Sequence, residues 1–381
     1  MKEIAVKIKF DFISTIVILF ISLFFISCQK EKDSYKVENI NGVRVIHNLS
    51  PKWGDKPKVE LKFVTKIGGT EVNDESYIFY RPFDLVQDKF GNKYILSWDN
   101  FRIRKFDSKW KYLSSFGREG QGPGYILNPS GLAIDSQSNI YVIESRNRRI
   151  QKINTDGTPL NSFKMNNASN SACILKSGNL VLEARSFYQR GQGFIDSVKP
   201  TMLAIMNQKN KILRRFVKCQ EFKDIDLMND VNRVNFDIDD EDNIYVTFEN
   251  QNRIEKYSPD GTLLFSADRL LNYKIEHTVD KENYSIPVPI LTFVSVDIRV
   301  DNKGRIWVTT FDKQPESQGT RGATLRDHKK LKFELFDKDG VLLGKVPVPI
   351  EFYKKRIYGD TLYLIDPYFE ACIYEYKIIE K

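Results

Sequence analysis

The chain has 381 residues, 41% hydrophobic and 28% charged, with 58 Lys and Arg against 50 Asp and Glu for a formal charge of +8. This composition excludes a disordered chain and a polytopic membrane protein, and 3 His with 4 Cys exclude a zinc-rich or disulfide-scaffolded one. Aromatic residues make up 13%, with 26 Phe and 18 Tyr, which points to strands, where rings pack on a pleated surface.

Residues 1–27 read as an export signal. Lys2, Lys7 and Lys9 form a basic start, and residues 12–26 (FISTIVILFISLFFI) an unbroken apolar run. The run is shorter than the roughly 20 residues of a spanning helix and fits a signal h-region of about 7–15; an uncleaved anchor is the other reading. The run ends at Phe25-Ile26-Ser27-Cys28. This resembles the bacterial lipobox, in which a small residue precedes a Cys that is lipidated, although Phe25 and Ile26 stand where Leu and Ala or Ser are usual. The resemblance implies lipidation at Cys28, with each buried methylene worth roughly 0.8 kcal/mol of membrane binding. Residues 28–57 begin with a charged stretch and carry Pro51, Trp53, Gly54 and Pro57 without clear periodicity, so they are expected to form a lipid-anchored tether. Cys173, Cys219 and Cys372 are widely spaced and odd in number, which favours free thiols.

From residue 58 the chain repeats itself. Residues 83–106 (FDLVQDKFGNKYILSWDNFRIRKF), 131–153 (GLAIDSQSNIYVIESRNRRIQKI) and 236–257 (FDIDDEDNIYVTFENQNRIEKY) share one plan. A short apolar alternation ends in Asp, a polar turn follows, and a second strand leads through a polar loop to Arg-Ile-x-Lys. Asp156-Gly157, Asp260-Gly261 and Asp339-Gly340 then mark hairpins into a fourth strand, because Gly accepts the positive φ of a tight turn. Fainter copies begin at Cys173, Val296 and Arg356. The second-strand residues Tyr94, Tyr141, Val181, Tyr245, Trp307 and Tyr363 define six units of four strands, the signature of a β-propeller. The sixth unit ends after its third strand, while residues 58–67 (KVELKFVTKI) form a strand with no unit of its own. That spare strand is predicted to close the ring, giving an all-β, six-bladed propeller over residues 58–381.

The linker 116–125 (FGREGQGPGY), followed by Asn128-Pro129-Ser130-Gly131-Leu132-Ala133-Ile134-Asp135, resembles the NHL-repeat signature. With the lipobox, the chain resembles the six-bladed propeller lipoproteins of the Bacteroidota. Some propellers of the NHL type are lyases with histidine-bound zinc, and related lactonases hold a divalent metal on the axis.

The glycine-rich linker lacks the Lys-Ser/Thr of a P-loop and opens no helix, so it reads as a connection between blades. His47, His277 and His328 show no metal-ligand spacing. Glu144, Glu249, Asn250 and Asp366 lie near second-strand ends and suit either a carboxylate-amide metal site or solvated turns. There is no Gly-x-Ser-x-Gly elbow. On the face shared by second-to-third-strand loops and blade entries, the repeat places Arg81, Trp98, Asp99, Arg118, Arg146, Arg148, Tyr188, Arg190, Arg233, Arg321 and Tyr368. Arginines with aromatics around an axial funnel would suit an anionic or planar ligand; solvated or acid-paired arginines are the alternative. Arg102, Arg149 and Arg253 recur before Ile-x-Lys and read as structural. Two insertions, residues 184–200 and 311–330, interrupt the third and fifth units, and long loops on a rigid ring often carry specificity.

The resulting expectation is a binding module tethered to the membrane of the cell envelope, on the outer membrane, that captures a protein, peptide or small anionic ligand without a cofactor. A metal-dependent hydrolase or lyase and a structural subunit of an outer-membrane assembly are the alternatives. The modest basic excess has no continuous block, which argues against nucleic acid.

Overall fold

A computed structural model describes residues 33–145, 147–165, 169–184, 200–280, 288–315 and 328–381. Strands β1 (Tyr35–Ile40), β2 (Val43–Asn48) and β3 (Val59–Gly68) precede the repeats. Blade 1 contains β4 (Pro82–Gln87), β5 (Lys93–Ser97), β6 (Arg102–Phe106) and β7 (Tyr112–Phe116). Blade 2 contains β8 (Gly131–Ile134), β9 (Ile140–Glu144), β10 (Arg149–Ile153) and β11 (Pro159–Lys164). Blade 3 contains β12 (Ala172–Ile174), β13 (Leu180–Glu183), β14 (Thr201–Met206) and β15 (Ile212–Lys218). The helix α1 (Ile225–Val231) leads into blade 4, with β16 (Val234–Ile238), β17 (Ile244–Phe248), β18 (Ile254–Tyr257) and β19 (Leu263–Arg269). A hairpin of β20 (His277–Asp280) and β21 (Val288–Leu291) follows. Blade 5 contains β22 (Ser295–Val300), β23 (Ile306–Phe311), β24 (Leu331–Phe336) and β25 (Leu342–Pro347). Blade 6 supplies β26 (Lys354–Tyr358), β27 (Thr361–Asp366) and β28 (Cys372–Glu380). Its fourth strand is β3, antiparallel to β28 from Cys372↔Gly68 to Glu380↔Val59. The protein is therefore a six-bladed propeller of four-stranded antiparallel blades, closed by its N-terminal strand.

The repeated sequence has a physical cause. Asp88, Asp135 and Asp239 each accept a bond from the hydroxyl of a tyrosine six residues later, Tyr94, Tyr141 and Tyr245, at 3.0, 3.2 and 2.9 Å. Asp301 does the same for the indole Nε1 of Trp307 at 2.8 Å. These rings are fully buried between blades, and burying a polar ring requires such a partner. The Lys of the third strand lies over the ring: Lys105 on Tyr94, Lys152 on Tyr141 and Lys256 on Tyr245.

The glycines of the DG turns do more than turn. Gly157 and Gly340 have φ of +89° and +85°, and a Cβ there would stand 2.5–2.7 Å from Phe116 and 2.7 Å from Phe265. In both cases the ring belongs to the outer strand of the preceding blade, so the turn of one blade seats the edge of its neighbour.

Residues 35–57, which the sequence assigned to a tether, belong to the folded body. From Tyr35 the chain folds onto the propeller, where β1 and β2 form a hairpin and β2 runs parallel to β19 on the outer edge of blade 4. Ile46 is fully buried there, and buried Asn48 bonds Gly340 O at 3.0 Å and Leu342 N at 2.7 Å in blade 5. Lys52 N and Trp53 N then bond Leu342 O and Leu343 O at 2.9 and 2.8 Å before β3 enters blade 6. The polar alternation of residues 36–48 hid these contacts, because only one face of a strand added to an outer edge is covered.

Two truncations should separate these roles. Removing residues 1–48 should lower stability by about 2–4 kcal/mol through loss of Ile46 burial and the Asn48 bonds, leaving one cooperative urea transition. Removing residues 1–68 should abolish that transition, because it exposes the whole of β28 and one face of the blade 5–6 core.

Candidate functional site

The inner strands meet around an axis that is stitched by polar bonds between blades. Asp84 on β4 accepts from Leu132 N of blade 2 at 2.9 Å and from Lys354 Nζ of blade 6 at 2.8 Å. Arg356 Nε and Nη2 reach the same carboxylate at 2.8 and 2.6 Å. Burial alone would raise the Asp84 carboxyl, but Arg356 and Lys354 outweigh it and hold it well below the usual carboxylate range. Asp297 of blade 5 pairs with Arg299 at 3.1 Å and with Lys355 of blade 6 at 3.3 Å. Lys355 is fully buried. Desolvation, partly offset by Asp297, brings its ammonium down to about 8. Asp237 of blade 4 accepts from Val300 N of blade 5 at 2.9 Å, and burial pushes its carboxyl up. None of these axial charges is among the sequence candidates. Their signal was charged residues inside first strands (FDLV, VDIRV, KKRIY), where alternation among apolar neighbours should have stood out.

Above this stitching lies a funnel of about 590 Å³ at the entry ends of the inner strands. Phe83, Tyr353 and Phe293 line it from blades 1, 6 and 5, all half-buried. Ser130, Asn170, Ser171 and Glu183 line it from blades 2 and 3, with Arg233, Glu249 and Asn250 from blade 4. Asp230 of α1 and Pro289 and Leu291 of the β20–β21 hairpin complete the rim. Gln314 fixes Phe293 by accepting from its N at 2.9 Å and donating to its O at 2.7 Å.

The sequence candidates divide into groups. Arg81, Trp98, Asp99 and Tyr368 come together at the rim of blades 1 and 6. Trp98 N bonds Arg81 O at 2.9 Å, and the Arg81 guanidinium lies 5.0 Å from the Trp98 ring and 5.9 Å from Tyr368, with Asp99 at 3.5 Å. Tyr368 stands edge-on to Tyr353, and Tyr353 packs on Phe83, so this cluster is continuous with the funnel wall. Arg233 lines the funnel and pairs with Asp230 at 2.6 Å. Arg118 stacks on Tyr125, and Arg148 is exposed; neither lines the funnel. Arg146, Tyr188, Arg190, Arg321 and Cys28 lie outside the described residues.

Of the four metal candidates, Glu249 and Asn250 reach the funnel and two serve elsewhere. Glu144 is fully buried and pairs with Arg149 at 2.8 Å. Asp366 accepts from the backbone N of Tyr368, Phe369 and Glu370 at 2.9–3.0 Å and shapes the rim loop. Among the described residues, no three His, Cys, Asp or Glu are grouped to share a metal ion. His47 pairs with Asp268 in the blade 4 hairpin, and His277 sits on β20, where desolvation lowers its imidazole. Two of the three recurring arginines reach the preceding connection or blade: Arg149 bonds Gln121 O and Tyr125 O in the linker from blade 1, and Arg253 bonds Lys218 O of blade 3 at 3.1 Å, whereas exposed Arg102 bonds Ser115 Oγ at 3.4 Å within its own blade.

Residues 110–143 match the model of a family described as Beta-propeller repeat, which spans the glycine-rich linker and the start of blade 2. A comparison with curated proteins finds no match. A solved member of the DUF4221 family from Bacteroides vulgatus is similar at 13% identity and a TM-score of 0.59, over 85% of this chain and 99% of that one. A protein from Bacteroides fragilis described as exported is similar at 12% identity and a TM-score of 0.56, over 88% and 99%. At these identities the likeness shows the fold alone.

The axial stitching makes Asp84 a sensitive position. Asp84→Asn would leave Arg356 and Lys354 buried without their carboxylate and should cost about 3–5 kcal/mol in urea unfolding at neutral pH. A carboxyl held below its unfolded pKa binds its proton less tightly when folded. Its stabilisation is therefore full above about pH 4 and fades as pH falls through the folded value. The gap between wild type and variant should accordingly narrow as the titration is carried to acid.

Proposed function

We propose that this protein is a lipid-anchored binding module of the bacterial cell envelope, held at the outer membrane through Cys28, which captures a small ligand in the axial funnel. The funnel itself carries the reading. It is concave, preformed, of a size usual for ligand sites, and set on a rigid ring at the face where the blade entries lie. The rim cluster of Arg81, Trp98, Asp99 and Tyr368 extends that surface outward. The lipobox-like Phe25-Ile26-Ser27-Cys28 supports the anchor.

Two experiments test the two halves. Cys28→Ser should move the protein from the detergent phase to the aqueous phase in a phase-partition assay, and unchanged partitioning would sink the anchor. For the funnel, thermal melting is followed with a panel of carboxylates, phosphates, amines, dipeptides and neutral disaccharides. At least one class should raise the melting temperature, and Arg233→Ala should weaken that ligand by roughly tenfold, as for one lost charged hydrogen bond. A panel with no binder of any class would defeat the funnel reading.

A further inference from the structure

The inner strands are unevenly charged. Across all six, β4, β8, β12, β16, β22 and β26, the charged residues are Asp84, Asp237 and Asp297 against Arg299, Lys354, Lys355 and Arg356. Three carboxylates therefore meet four bases, and all seven side chains belong to residues that are buried or half-buried.

Every one of these bases is bonded, but the carboxylates are shared. Asp84 serves both Lys354 and Arg356, and Asp297 serves both Arg299 and Lys355. The third carboxyl, Asp237, accepts from the backbone N of Val300 at 2.9 Å. Burial pushes that carboxyl up against the pull of Arg299 and Arg356, and its protonation would widen the positive excess. A charge taken out of water without a full counterion is costly. Hydrogen bonds to carbonyls and hydroxyls ease that cost without balancing the charge.

The excess is reachable from the funnel. Arg299, Lys354 and Arg356 all line it. Lys354 begins β26 and reaches across to blade 1, where its Nζ bonds Asp84 and stands 5.7 Å from the centre of the Phe83 ring, another lining residue. The Lys354 side chain is 15% exposed. An ammonium has three hydrogens, and Asp84 takes one of them. Burial pushes this ammonium down, Asp84 opposes that, and Arg356 and Arg299 add to it. The acidic lining residues stand at the mouth instead. Leu182 and Phe248 pair with Ala172 and Val234, the first residues of β12 and β16, and Glu183 and Glu249 come one residue further out. Arg299, by contrast, is the fifth residue of β22 and Arg356 the third of β26.

We infer that the floor of the funnel binds the carboxylate of a small organic acid, with the Lys354 ammonium as its donor and Arg299 and Arg356 supplying the charge behind it. This rests on the funnel reading above and names the ligand's head group. One carboxylate carries the single negative charge that balances four bases against three acids. A neutral group would leave the excess in place, an ammonium would enlarge it, and a phosphate dianion would reverse it. A charge-assisted bond of this kind is about twice as strong as one between neutral partners.

The test uses the full chain in a nonionic detergent and a buffer free of carboxylates and phosphates. Isothermal titration compares benzoate, phenyl phosphate, benzamide and benzylamine, which share one ring and differ in head group. Benzoate should bind most tightly, about tenfold or more ahead of benzamide. Lys354→Gln keeps a donor for Asp84 and leaves Arg356 on that carboxylate. It should weaken benzoate about tenfold without changing benzamide, and Lys354→Arg should restore benzoate. Lys345→Gln removes a base from the outer strand of blade 5 and should change nothing; an equal loss there would assign the effect to overall charge and overturn the site. Should Lys354→Gln fail to fold, the ranking of the four probes still decides. Tighter binding of another head group, or equal binding of all four, overturns the carboxylate assignment and leaves the funnel reading standing. Binding by none of the four overturns the carboxylate assignment, and the broader panel above then decides the funnel.

Discussion

Everything in this structure depends on one seam. A propeller is a sheet assembly that must meet itself, and here the meeting point lies between blade 6 and blade 1. On the outside, β3 lends the C-terminal blade its fourth strand. On the inside, Asp84 of blade 1 takes Lys354 and Arg356 of blade 6. Between them lies an apolar layer in which Phe79, Leu85, Ile95 and Phe106 of the first blade pack with Tyr363, Ile365 and Ile373 of the last. A buried ion pair is a poor source of net stability against an apolar substitute, yet breaking it from one side is costly. It therefore serves well as a register device: a blade that docks out of phase would bury Arg356 and Lys354 unpaired.

The seam also governs what the axis can offer a ligand. Stitching the inner strands with Asp84, Asp297, Arg299, Lys354, Lys355 and Arg356 uses these charges to hold blades together. The funnel above is therefore rich in ionic groups and poor in uncommitted ones. The same economy appears at the rim, where Arg81 is shared among Asp99, Trp98 and Tyr368. A surface that looks cationic when counted by residue becomes compensated once its contacts are drawn.

Much of this was legible in the sequence, for a reason that can be named. The Asp-to-Tyr bond over six residues, the Lys laid on that ring and the DG turn against a neighbour's Phe are local devices, all present in blades 2 and 4 and in part in blades 1 and 5, so they imprint a period. Even the closing strand could be inferred, because a missing strand and a spare one matched. The hairpin at residues 35–48 was not legible, since an edge strand covered on one face carries little apolar pattern. The axial charges were not legible because Asp84, Asp297 and Arg356 lie inside strands, and Asp84 meets its partners Lys354 and Arg356 across 270 and 272 residues. Asn250 was visible as a candidate, but its bond was not: Nδ2 donates to Thr292 O, 42 residues on, and the side chain is fully buried.

The ring is nearly regular, but its additions are not. Helix α1 and the β20–β21 hairpin flank blade 4, and the β1–β2 hairpin covers that blade's outer edge. The long connections leave from Glu183 to Thr201 in blade 3 and from Phe311 to Leu331 in blade 5, on either side of it. All of these belong to blades 3, 4 and 5, although the glycine-rich linker, residues 117–130, is also long and joins blades 1 and 2. A scaffold selected for stability alone would have no reason to load one side. A binding site as proposed above would, since blades 3 and 4 present Asn170, Glu183, Arg233 and Asn250 to the funnel. The outer hairpin then has a mechanical role. It covers the outer edge of the blade that carries Arg233 and Asn250 and ties that blade to blade 5 through Asn48.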